Sequence, residues 1–209
     1  MSHLVYQKSK FYLDNLVTQG PIGKYLQRLR SHHDDSYDHS LRVARTCVDL
    51  GYENELPDRD IRTLGYAGLL HDLGKTSVDA SVLSKPSALS PEERQEVEGH
   101  PRLGYLQLEE QLFRRVKRVV AGHHEFQTAP FPRSNQERRI NSRSAGQDRR
   151  GDDSEIIRLT QIVAIADMFD ALSNARSYKD GLSRERTLEI LFRQFTGDPL
   201  LIDQVMRRF

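Results

Sequence analysis

Residues 59–75 read RDIRTLGYAGLLHDLGK. Ile61, Leu64, Ala67, Leu69 and Leu70 recur near the 3.6-residue period, which predicts an amphipathic helix over 59–73. Gly74 follows the last periodic residue and is expected to cap that helix in the left-handed conformation. The helix end carries His71 and Asp72, both able to coordinate a metal, with the Lys75 ammonium three residues beyond.

The same period returns on both sides. It predicts helices at about 3–18, 22–30, 36–50, 91–110, 112–122, 155–173 and 184–196, with a short tail over 199–208. Gly20-Pro21, Gly51 and Lys85-Pro86 mark the breaks. Ser90-Pro91-Glu92-Glu93 combines an N-cap serine, proline at the first helical position and acidic residues in the first turn. No alternating apolar run is long enough for a strand, so an all-α bundle is expected. Residues 133–153 break the pattern: six arginines and four acidic residues stand there with only Ile140 and Ala145 apolar. Such a stretch cannot bury enough surface to offset its ordering entropy and is expected to be a flexible loop. A basic lid over a phosphorylated ligand is the sharper alternative.

The 209 residues suit one domain with at most a small appendage: a helical extension over 1–34, then a domain over 35–209. With 31 basic and 30 acidic residues, the chain is not built as a general binder of nucleic-acid polymers. Its longest unbroken apolar run, Ile162 to Ala166, is five residues, against the roughly 20 that span a bilayer. The N-terminus lacks the apolar stretch of a secretory signal, and Cys47 is the only cysteine. A cytoplasmic protein without a disulfide framework or membrane partner is expected.

His and Asp residues then recur in order near predicted helix ends: Asp35 and His39, His71-Asp72, His100, His123-His124, and Asp167 with Asp170. Imidazole and carboxylate together suit borderline divalent metals such as Fe, Mn, Ni or Zn. Two such ions about 4 Å apart can hold a phosphoryl oxygen and acidify a water between them. Hydrolysis of a phosphate ester is the chemistry this set suggests. Each element alone has a plainer meaning. His123-His124 also suits a helix terminus, Lys75 a cation facing a helix dipole, and Arg176 with Lys179 a solvated turn. His32-His33 is an identical dipeptide to which no role is assigned.

Taken in order, the motifs resemble the HD superfamily of metal-dependent phosphohydrolases and, within it, the HD-GYP family of cyclic di-GMP phosphodiesterases. DHSLRVA around His39, LLHDLGK, VLSKPSALSPEE, GHPRLGY, GHHE and ADMFDALSNARSYKDGLS each resemble a stretch of that family, from about Asp35 to about Leu191. The resemblance implies one ion held by His39, His71, Asp72 and Asp167, with Asp72 bridging to a second held by His100, His123 and His124. It implies a charge-stabilising role for Lys75 beside the attacking water and the phosphate. Arg176 and Lys179 would bind phosphate, and Lys85 is a weaker candidate for ligand contact.

Two departures stand out. Asp35 occupies the place where some members carry a glutamate for a third ion, so a third site has a shorter candidate ligand while two ions are expected. After the histidine pair the family usually reads HHE, a spacer and DGxGYP, whereas this chain reads HHEFQTAPFP. Phe131 stands at the tyrosine position, able to stack on a base but without a hydroxyl. The resemblance implies hydrolysis of cyclic di-GMP, to pGpG or GMP, or of a related nucleotide. The alternatives are another nucleotide substrate on the same metal core, or a catalytically weak nucleotide-sensing module. A nucleotide second messenger would be the small-molecule partner. Residues 1–34 offer no room for a receiver or sensor, so a regulatory protein is expected to act in trans.

Overall fold

Two long helices meet backbone to backbone at the centre of the chain. In the computed structural model, which describes residues 3–19, 21–131, 149–174 and 181–209, these are α3 (Asp34–Glu53) and α4 (Asp58–Leu70). A Cβ on Gly68 would stand 2.5 Å from the Ala44 Cα, so the missing side chain lets the helices touch there. Gly51 serves the same contact further along. Its virtual Cβ lies 3.1 Å from a Leu64 methyl, and α3 runs through it to Glu53 instead of stopping as expected.

Around this pair stand α1 (His3–Gln19), α2 (Gly23–His32), α5 (Ala80–Leu83), α6 (Pro91–Glu98), α7 (His100–Gln107) and α8 (Glu110–Gly122). A 3-10 helix over Leu73–Ser77 follows α4, and α9 (Arg149–Ser173), α10 (Arg184–Gln194) and α11 (Leu200–Met206) complete the bundle. Among the described residues there is no strand, only an isolated antiparallel bridge between Gln127 and Phe195. The all-α architecture expected from the periodicity is what is observed.

The apolar run Ile162–Ala166 lies in α9 and is buried along its whole length, the mark of a central helix. Val43, Ala44, Cys47, Leu64, Leu69 and Leu70 join it in one core. Each such Leu, Ile or Val contributes about 1.5–3 kcal/mol on burial. Leu16, Ile22, Tyr25 and Leu26 of the N-terminal segment belong to the same core.

Several boundaries differ from expectation. The segment 91–110 breaks at Gly99 into α6 and α7, which places His100 at the start of a new helix. The Ser90 cap does form, as a reciprocal capping box with Glu93. α9 begins at Arg149, so the last five residues of the segment read as a loop are helical, while 133–148 lie outside the described residues. Gly74 is not in the left-handed region, since no described glycine has positive φ. A Cβ there would lie 1.9 Å from the His100 carbonyl oxygen and 2.6 Å from the Gly104 nitrogen. The residue is glycine because α7 packs directly on it.

Candidate metal centre

Those contacts bring four helix ends to one point. His39 rises from α3, His71 closes α4, Asp72 precedes the 3-10 helix, and Asp167 directly follows the buried run in α9. His100 opens α7, and His123 closes α8 with His124 beside it. Three ligand groups result: His39–His71–Asp72, His71–His123–Asp167 and His100–His123–His124, with donor atoms within 4.8 Å of one another in each.

Asp72 lies between the groups. Its Oδ2 is 3.6 Å from His71 Nε2 and 3.9 Å from His39 Nε2, while its Oδ1 is 3.2 Å from His100 Nε2. Asp167 Oδ1 lies 3.0 Å from His39 Nε2 and 3.8 Å from His71 Nε2. Burial would raise the Asp72 carboxyl, but the Lys75 ammonium and the His71 and His100 imidazoles hold it well below the ordinary range. Burial also opposes ionisation of Asp167, and the imidazoles of His39, His71 and His124 outweigh it. Burial pulls His71 down and, with neighbouring imidazoles, pulls His123 far down; it takes His124 to about 3. His39 differs: burial would lower it, but Asp167 and Asp170 raise it.

The donor set fits divalent cations. His100 Nδ1 faces the Val97 carbonyl at 2.7 Å and His123 Nδ1 faces that of Val120 at 2.7 Å, so each neutral ring spends its proton there. Their Nε2 atoms, left as lone pairs, point at each other across 3.2 Å. Two acceptors in such a contact need a cation or a proton between them, and burial holds the His123 imidazole against taking the proton. His71 repeats the pattern with the Gly68 carbonyl at 2.9 Å. Fixing Nδ1 in this way turns Nε2 toward a metal.

The remaining sequence-predicted residues fall in different places. Lys75 Nζ sits 2.6 Å from Asp72 Oδ2 and lines a cavity of about 260 Å³ with His100, His124, Phe131 and Asp167. Asp35 is half-buried one turn before His39 and joins none of the ligand groups found among the described residues. Lys85 is paired with both Glu93 oxygens at 2.7 Å and lines a neighbouring cavity of about 410 Å³. The Phe131 ring lies over His124, with centroids 4.0 Å apart, and meets His100 edge-on at 5.9 Å. Arg176 and Lys179 lie outside the described residues.

Two supporting groups had no assigned role in the sequence. Asp170 Oδ2 faces His39 Nδ1 at 2.6 Å while Arg42 donates to both Asp170 oxygens at 2.8 and 3.0 Å. The signal was the three-residue spacing, which sets Arg42 beside His39 on α3 and Asp170 beside Asp167 on α9. Gln127, whose amide is 2.8 Å from His124 Nδ1, left no such signal.

The family model of the HD domain matches residues 36–172. The chain belongs to the HD domain family. Its HD domain includes every residue of the three ligand groups, with Asp35 just outside the match. It is 33% identical over 158 residues to the cyclic di-GMP phosphodiesterase PA4108 of Pseudomonas aeruginosa, covering 75% of this chain and 34% of that one. The cyclic di-GMP phosphodiesterase response regulator RpfG of Xanthomonas campestris is 33% identical over 159 residues, 73% of this chain and 38% of that one. The 3'3'-cGAMP-specific phosphodiesterase 2 of Vibrio cholerae is 32% identical over 160 residues, 75% of this chain and 28% of that one. This chain thus spans about a third of the length of these relatives. The solved HD domain of L. monocytogenes phosphodiesterase PgpH superposes with a TM-score of 0.55 at 16% identity, over 88% of this chain and 93% of that one, and shares the fold. The resemblance to the HD superfamily drawn from the motifs is borne out. No helix among the described residues is long and apolar enough to cross a membrane.

Proposed function

We propose that this HD domain hydrolyses a phosphodiester bond of a cyclic dinucleotide, cyclic di-GMP foremost, to pGpG or GMP. The observation that carries the reading is Asp72, whose Oδ2 faces His71 and His39 and whose Oδ1 faces His100 at the wall of a small cavity. His39, His71, Asp72 and Asp167 would hold one divalent ion, and Asp72 with His100, His123 and His124 a second, drawn from Fe, Mn, Ni or Zn. Ions so held would supply an acidified water and neutralise charge on the phosphoryl oxygens.

The chain's own groups do the rest. Lys75 has three N–H donors; one is spent on Asp72, leaving others to hold a phosphoryl oxygen at the cavity wall. Asp72 keeps that ammonium within reach of the ligand groups, where it stabilises negative charge as it develops. The larger cavity shares Lys75 and Val97 with the smaller, which leaves room beside the phosphate for a base and its sugar. Phe131 lines the smaller cavity, with the His124 ring against its own. The names of the relatives support a cyclic dinucleotide as the substrate class.

Incubating the anaerobically purified protein with Mn, Fe, Ni or Zn and with cyclic di-GMP or 3'3'-cGAMP tests this. Metal-dependent release of pGpG or GMP is expected from cyclic di-GMP. Binding of the nucleotide without turnover, with ions present, would overturn the hydrolase reading in favour of a sensor.

A further inference from the structure

The five imidazoles of the centre are not held alike. His39, His71, His100 and His123 each place Nδ1 against a pure acceptor: the Asp170 carboxylate and the carbonyls of Gly68, Val97 and Val120. That fixes the tautomer, so Nε2 of a neutral ring is bound to be a lone pair. His124 places Nδ1 against a side-chain amide, Gln127, at 2.8 Å. An amide presents either N–H or C=O after a half-turn, and among the described residues nothing else bonds that amide to fix which end faces the ring. His124 is also the least buried of the five.

We propose that Gln127 is a positioning residue that sets the tautomer of His124, making the His100–His123–His124 group the weaker and more easily emptied ion position. With the amide N–H toward the ring, Nδ1 accepts, the proton sits on Nε2 and that atom cannot ligate. With the amide oxygen toward the ring, Nδ1 donates and Nε2 is free to bind. Binding an ion at this group therefore calls for the amide oxygen toward the ring, a choice on which no other imidazole of the centre depends. The amide is brought to the ring by chain beyond the HD match. Gln127 bridges to Phe195, Thr128 N donates to the Gln194 carbonyl at 2.9 Å, and Thr196 N donates to that of Phe126 at 3.1 Å. The connection between α10 and α11 thereby reaches the metal centre through one side chain.

This inference rests on the two-ion reading above and is tested by binding of the metal alone. Calorimetric titration with Co(II), followed also by its d–d absorption, is run on the wild-type protein, Gln127→Glu and Gln127→Leu. Two unequal binding steps are expected for the wild type. Glu offers only acceptors, so the weaker step should tighten by about tenfold; Leu offers none, so it should weaken by about tenfold or more. The tighter step should stay the same in all three. Melting curves of the metal-free proteins check that Leu folds, and the Glu arm stands by itself if it does not. Wild type with two steps and a Glu variant with the same weaker step overturns this proposal alone. A wild type that takes up no Co(II) overturns the two-ion reading and this proposal with it.

Discussion

His39 stands inside α3 and His71 at the end of α4, helices whose backbones touch at Gly68 and Ala44, while His100 stands where α7 begins and His123 and His124 where α8 ends. The first group takes its geometry from core packing: moving His39 means moving α3 against α4 and α9. The second takes it from the close seat of α7 on Gly74 and, as His71 also does, from hydrogen bonds three residues back along the chain. A ligand set by packing is costly to retune, because interiors are as dense as crystals. A ligand set by a turn can be adjusted by one side chain, and it is beside His124 that this sequence departs from the DGxGYP pattern.

Removing the shared residue should abolish the distinction between the halves. Asp72→Ala takes away the carboxylate that both groups face, so elemental analysis should find neither ion and turnover should fall to background. Two ions retained in that variant would break the bridging assignment.

Gly74→Ala should separate the halves. Its Cβ would press on the His100 carbonyl and the Gly104 nitrogen, backbone atoms that cannot rotate aside. Overpacking of this kind costs about 1–3 kcal/mol, occasionally more. The melting temperature should drop, and the ion at the His100 group should be lost with the one at the His39 group kept. An unchanged melting temperature would show that α7 has room to move.

The smallest effect is expected at the buried carboxylate behind His39. Asp170→Asn keeps an oxygen for the ring but gives up the charge that Arg42 and His39 share. Loss of such an outer partner costs about tenfold in metal affinity at the low end of its range. Titration should show that loss in the His39 group only. A loss of the same size in both groups would mean that the centre responds as one unit.

Much of this could be read before any coordinates. Ile61, Leu64, Ala67, Leu69 and Leu70 announced α4, and Ser90 with Glu93 announced the start of α6, because periodicity and capping are local properties. Gly74 was misread for the reverse reason. A glycine after a helical run looks like a cap, and only the path of α7, 26 residues later at His100, shows that close approach is what requires it. The break at Gly99 was hidden because an isolated glycine is tolerated inside a helical pattern.

The order and chemistry of His39, His71, Asp72, His100, His123, His124 and Asp167 were determined by the sequence, since ligand type is a property of the residue. Which lone pairs face one another, that Asp72 lies between two groups, that Asp170 holds His39, and that Phe131 covers His124 were decided by tertiary structure alone. Those facts depend on how helices far apart in the chain cross, and a crossing is set by where small residues let backbones meet.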